Sequence, residues 1–358
     1  MHSMKSLQKV PVIVLILGSR VGCCLLFFFY LLCSPSEAAV SQLNPQPIGS
    51  ACSSSDSIDW SDHEGTSAAL AQIYGRESFD QLEASLQCLS SAGKQFASGR
   101  PGPSAIYAFY KLILPGPGAD PVEGSRIEKW AKAFPKSSQV HFARARFAYA
   151  MAWNRRGGTF ANEVKEESWK EFREGLRQAE EILHHAPEEL HNTPIYYHLL
   201  LAIAQDSNRP FETRLAIFQA GVSRWPEYYG LYENMLKRFV PKWGGSWAIV
   251  DQSIRTWASQ RVTDEGASLY SRLYARVLLD GAKVEETMIQ WPTMKASLED
   301  LVKRYPDSYN WSLAASSACL FGDRALFQLS MEKLSPNRVQ ASAWFRGTAP
   351  DICIQRFR

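Results

Sequence analysis

Arg155 and Arg156 stand side by side, after Trp153-Asn154 and before Gly157-Gly158. Two guanidiniums so placed could grip a carboxylate or a phosphate in forked geometry, with the Trp153 indole as a stacking wall. The same residues also suit a plainer task, in which Gly157 ends a helix and the arginines complement its negative C-terminal end. Trp243-Gly244-Gly245-Ser246-Trp247 is a second such place. Its indoles beside flexible glycines could form a platform for a glycan or peptide. They could equally pack a tight corner before a helix that Ser246 caps.

Other chemistry is missing. His184, His185, His191 and His198 cluster, but Pro187 and Pro194 interrupt any single helix through them and no His-Glu-x-x-His spacing occurs. No metal-ligand set is read there. Neither a Gly-x-Ser-x-Gly elbow nor a Gly-rich phosphate loop is present. The Gly-Pro stretches at 99–103 and 115–118 read as inter-helix loops, because proline withholds the amide donors a phosphate cradle needs. Glu166-Glu167 and Glu180-Glu181 have basic neighbours and read as solvated helix faces. No catalytic residue and no cofactor is assigned.

The elements that must position these residues are helical. Trp169, Phe172, Leu176, Ala179, Leu183 and Ala186 step by three and four, as do Trp291, Met294, Leu298, Leu301 and Tyr305. Strict alternation closed by Asn-Gly or Asp-Gly turns is absent, which points to an all-α chain. Between Ser137 and Arg155 there are two apolar stripes, Val140, Ala143, Phe147, Ala150 and Met151 on one side, and Phe142, Ala145, Tyr149, Ala152 and Trp153 on the other. A helix buried on both sides must sit between neighbours, so stacked helical layers are expected.

The first 39 residues carry Lys5 and Lys9, an apolar run from Val10 to Cys33 and small residues at Ser36 and Ala38. That order is a signal peptide, and the run is also long enough to serve as a retained membrane anchor. Residues 40–63, polar and rich in Ser, Asp and Pro, are expected to be a flexible linker, leaving 64–358 as the helical domain. Removal of the leader takes away Lys5, Lys9, Arg20 and Glu37 and lowers the net charge from +3 to +1. So balanced a surface argues against nucleic acid. Cys52, Cys88, Cys319 and Cys353 remain, an even number that implies disulfides in an oxidising compartment, with Cys52–Cys88 and Cys319–Cys353 favoured by spacing and free buried thiols as the alternative.

Phe134-Pro135-Lys136, Ala186-Pro187-Glu188, Trp225-Pro226-Glu227 and Tyr305-Pro306-Asp307 recur between amphipathic helices, and Gly322-Asp323 fits a short turn inside a hairpin. Here the chain resembles tetratricopeptide-like helical repeats, in irregular units. Ala152–Gly158 and Pro241–Ser246 resemble landmarks of an uncharacterised bacterial domain-of-unknown-function family of such proteins, over about residues 100–340. The resemblance implies an α-solenoid of stacked antiparallel hairpins and carries no activity with it. The expectation is an exported, non-catalytic scaffold of the cell envelope, periplasmic or anchored by its N-terminus, that binds a protein or peptide in a concave surface. Two alternatives are a periplasmic enzyme with a groove site near Trp153, Arg155 and Arg156, and a membrane-tethered spacer.

Overall fold

The computed structural model describes residues 46–47, 62–91, 93–334 and 338–358. The expected leader and Cys52 lie outside the described residues. So does most of the expected linker, of which Gln46–Pro47 (β1) pairs in parallel with Lys94–Gln95 (β2). Apart from that ladder and an isolated bridge, the regular elements of the described residues are helical. None of these helices is long and apolar enough to cross a membrane.

In chain order the helices are α1 His63–Gly75, α2 Phe79–Ser90, α3 Gly102–Ile113, α4 Glu123–Ala133, α5 Ser138–Arg156, α6 Glu166–His184, α7 Glu188–His191, α8 Pro194–Asp206 and α9 Phe211–Arg224. They continue with α10 Tyr229–Leu236, α11 Trp247–Gln260, α12 Val262–Glu265, α13 Ser268–Leu279, α14 Trp291–Arg304, α15 Ser308–Phe321, α16 Arg324–Lys333 and α17 Pro350–Arg356. Side-chain caps fix several starts by taking up amides that have no partner within the helix. Asp62 accepts from Gly65 N–H, Ser246 from Ile249 N–H, Asp307 from Asn310 N–H and Asp323 from Leu326 N–H. Gly322, in the left-handed region, ends α15 directly before the Asp323 cap.

The two-sided α5 packs against α4 and α6, and its Phe142 ring lies 4.7 Å from Tyr110 of α3. The largest buried side chains, among them Trp130, Tyr74, Tyr110, Tyr229 and Tyr274, are aromatic. Their hydroxyls demand partners, and Tyr110 donates to the Gln139 carbonyl at 2.9 Å while Tyr229 donates to Glu265 at 2.7 Å.

Alternate helices have alternate duties. α1, α3, α5, α8, α10, α13 and α15 all contribute side chains to one cavity, while α2, α4, α6, α9, α11, α14 and α16 contribute none and pack behind them. Distant parts of the chain also meet. The loop before α3 offers its Ser98 carbonyl to Arg272 Nη2 at 2.6 Å and to Asn310 Nδ2 at 3.2 Å. His63 lies edge-on to Tyr309 at 5.8 Å, and Ser342 donates to Glu64 at 2.6 Å. In an open array each repeat touches only its neighbours; here the first helices touch the last.

The turn at Gly99 makes that contact possible. Its φ is +82°, and a Cβ there would sit 2.6 Å from Arg272 Nη2 and 2.9 Å from the Tyr305 ring. Only glycine gives both the conformation and the clearance. Cys319 and Cys353 are joined by a disulfide that ties α17 to α15, and Cys88 is also disulfide-bonded.

Candidate functional site: a basic interior cavity

The cavity lined by the seven helices and the loops between them opens to solvent beside the exposed Trp243 and has a volume of about 720 Å3, within the range of small-ligand sites. Its wall is unusual in being charged. Arg100, Lys111, Arg146, Lys237, Arg238 and Arg276 face it, against Glu64, Asp206 and Glu233. Arg100 pairs with Glu233 at 3.1 Å, Arg238 with Asp206 at 2.6 Å, and Arg276 with Asp280 outside the wall. With Asp280 counted, six basic side chains stand against four acidic ones, an excess of two positive charges, and Lys111, Arg146 and Lys237 make no salt bridge among the described residues.

Arg146 is the most telling of the three. It is 4% exposed, and its Nε and Nη1 have no hydrogen-bond partner among the described residues. Its guanidinium lies 4.9 Å from the centre of the Tyr149 ring, a contact that steadies the cation but satisfies none of its in-plane donors. A buried, unpartnered donor is costly, and a partner is expected to occupy it.

The lysines respond to their setting. Burial, then Lys237 and Arg276, with Arg146 adding and Glu233 opposing, lower the Lys111 ammonium to about 8. Burial and Arg276 lower Lys237 in the same direction, against Asp280, Glu233 and Asp206. His198 is held neutral: burial comes first, and Lys237, Lys111 and Arg146 all push its proton affinity well below the ordinary value. The imidazole is stacked 3.6 Å from Tyr107, and its Nδ1 shares a hydrogen bond of 3.0 Å with the Tyr228 hydroxyl.

Farther along the wall, Asp206 accepts from the Tyr149 hydroxyl at 2.6 Å and from Trp153 Nε1 at 3.1 Å, besides its pair with Arg238. Arg238 in turn lies 4.9 Å from the centre of the Trp243 ring. Burial raises the Asp206 carboxyl above its usual range, although these three partners pull the other way. On Glu233 burial also acts against the charge, but Arg100, Arg276 and Lys111 prevail and lower it.

The residues singled out from the sequence divide accordingly. Trp153 and Trp243 are both in the cavity wall, and Trp243 is 49% exposed. Arg155 is exposed and outside the wall. Arg156 donates to the carbonyls of Gly157 and Thr159 and lies over the Trp153 and Trp169 rings, which is the helix-end role rather than a free fork. Trp247 opens α11 half-buried against the core. Among the described residues no group of three or more His, Cys, Asp or Glu is placed to hold a metal ion.

The three cations Lys111, Arg146 and Lys237 escaped the sequence reading, although Arg146 and the neighbouring His198 left traces. Arg146 sits between Phe142 and Tyr149 on an otherwise apolar stripe of α5, and His198 interrupts the apolar run 195–204. Lys111 and Lys237 carry no such mark. No protein-family model, characterised sequence or solved structure matches this chain, so the cavity's chemistry is read from its own residues.

Proposed function

We propose that the chain is an exported helical-repeat scaffold of the cell envelope that takes an acidic segment of a protein or peptide partner into its interior cavity, without catalysing a reaction. The repeat architecture envisaged is a stack of hairpins curled until its ends meet, which gives a walled receptacle in place of a long open groove. The observation that carries the reading is the excess of two positive charges on the cavity wall, with the unpartnered donors of Arg146 among them. Charge of one sign in a low-dielectric recess attracts and holds the opposite sign. Trp153 and Trp243 supply flat apolar walls beside it.

The test is fluorescence anisotropy with labelled peptides of equal length. An Asp/Glu-rich peptide is expected to bind the full-length protein and to be released by salt, whereas Lys-rich and neutral peptides are not. Equal binding of all three, unchanged in a Lys111→Met/Lys237→Met variant, would overturn the reading.

One observation favours a second reading, an enzyme using the same cavity. A lysine lowered to about 8 beside a neutral His198–Tyr228 pair is the kind of group that transfers protons near neutral pH. Turnover of an anionic substrate that His198→Gln abolishes while binding persists would support it.

A further inference from the structure

We propose that the cavity takes its partner end-on, as about four residues at the free end of a single extended chain, and shuts out the same residues when they lie in the middle of a chain. The proposal rests on the cavity being a receptacle for an acidic segment and deepens it by naming the part of a partner that fits.

The helices around the cavity are joined all the way round. Ser67 Oγ of α1 donates to the Ala105 carbonyl of α3 at 3.1 Å, Tyr110 of α3 meets Phe142 of α5, and Tyr149 of α5 donates to Asp206 of α8. Asn234 Nδ2 of α10 donates to the His198 carbonyl of α8 at 3.0 Å, and Arg272 of α13 lies 4.5 Å from the centre of the Tyr229 ring of α10. The Ser98 carbonyl joins Arg272 of α13 to Asn310 of α15, and Tyr309 of α15 returns to His63 of α1. A groove open along one side accepts the middle of a chain laid into it. A closed ring accepts a chain only along its axis.

The mouth of that ring lies where several inner helices end. Asp206, the last residue of α8, accepts from Trp153 near the end of α5 and from Arg238 beyond the end of α10, and Asn154 of α5 donates to the Ala119 carbonyl beyond α3 at 2.6 Å. The exposed Trp243 stands at this end, against Arg238. Arg146 is seven positions before Trp153 on α5, and His198 is eight before Asp206 on α8, which places both about 10–12 Å inward at about 1.5 Å per residue. An extended chain covers that depth in about three or four residues. Volume sets the same limit: at roughly 160 Å3 per extended residue, from the spacings of strands and sheets, the cavity's 720 Å3 takes about four or five residues. A hairpin reaching as deep would bring twice as many residues and a turn, so only a free end fits. An α-ammonium group arriving beside the Arg146 guanidinium would meet like charge, so the end that enters is a carboxylate or an acylated amine.

Isothermal titration of the full-length protein with one Asp/Glu-rich sequence in three forms tests this. The forms are the N-acetylated free peptide, the sequence at the C-terminal end of a small folded carrier behind a Gly/Ser spacer, and the sequence between two such carriers with a spacer on each side. The first two are expected to bind alike, and the third roughly tenfold or more weakly, because neither of its ends is free. In the terminal form, shortening the acidic stretch from the spacer side should leave affinity unchanged until about four residues remain. Ala202→Trp fills the cavity between Asp206 and His198 without changing its charge, and is expected to weaken the terminal form by roughly tenfold or more. Its melting temperature is the folding control, and if that falls the three forms on the wild-type protein decide alone. Equal affinity for the terminal and embedded forms, binding of the free peptide without the terminal form, or full affinity in folded Ala202→Trp would overturn end-on entry and leave the wider reading standing. Absence of binding by all three forms would overturn both.

Discussion

At Lys111, function and protonation meet. Its ammonium, lowered to about 8, faces Lys237, Arg276 and Arg146, which repel its charge, and Glu233, which supports it, while His198 stays neutral. Affinity for an anionic ligand is therefore expected to fall as pH rises through about 8, and titrations at pH 7 and pH 9 should differ severalfold; Lys111→Met should flatten that difference. Two histidines set a separate dependence of stability. His63 is lowered to about 3 by burial and then by Arg100, with Glu233 opposing and Arg272 adding, and His198 is lowered well below its usual value. An unfolded histidine takes a proton near 6.5 while the folded one refuses it, so the unfolded chain binds more protons between 6.5 and 3 and stability is lost as pH falls through that interval. His63 alone is expected to account for about 2 kcal/mol between pH 7 and pH 5, and denaturant melts of the wild type and His63→Gln at both pH values measure it. At this scale the sequence was legible only where a polar residue broke an apolar stripe. Arg155 and Arg156 drew attention by adjacency, but neighbours on a helix point about 100° apart, and only Trp153 of that segment reaches the cavity wall.

The helices themselves were easy to anticipate, because their period is written in the apolar positions and their starts in Ser246, Asp307 and Asp323. The double stripe of α5 also implied neighbours on both sides, and α4 and α6 provide them. How closely α6 approaches could not be inferred from the pattern. Gly175 lies so near α5 that a Cβ would stand 2.7 Å from the Ala152 Cβ. Gly175→Ala should therefore destabilise by about 1–3 kcal/mol, outweighing the gain of up to about 1 kcal/mol from helix propensity. Gly75→Ala, near the end of α1 with nothing within 4 Å, is the matched control and should not destabilise. Urea melts of the two variants distinguish packing from propensity.

For the molecule as a whole, the decisive contacts join residues 133 to 278 positions apart: Arg100 to Glu233, Ser98 to Arg272 and Asn310, Glu64 to Ser342. Local periodicity carries no information about such pairs, which is why the sequence implied stacked hairpins yet gave no sign of a walled cavity between them. The Gly99-Arg100-Pro101-Gly102-Pro103 loop shows the gap plainly. It does connect two helices, and it also places Arg100 in the cavity wall and Ser98 against helices at the far end of the chain. Gly99→Ala should strain this closure and lower the melting temperature, with the loss concentrated in hydrogen-exchange protection of α13 and α15. The Cys319–Cys353 bond closes a 34-residue separation, and by chain entropy a Cys319→Ser/Cys353→Ser variant is expected to lose roughly 3–4 kcal/mol, read from denaturant unfolding without reductant so that Cys88 is undisturbed.

The central claim, that the interior is a receptacle for anions, is tested most directly by diffraction from crystals of the protein soaked in selenate, with the anomalous signal marking each bound anion. The expected result is a peak inside the cavity among Lys111, Arg146 and Lys237, one that disappears in Lys111→Met/Lys237→Met. Selenate confined to the outer surface, with the cavity empty of it, would contradict the claim.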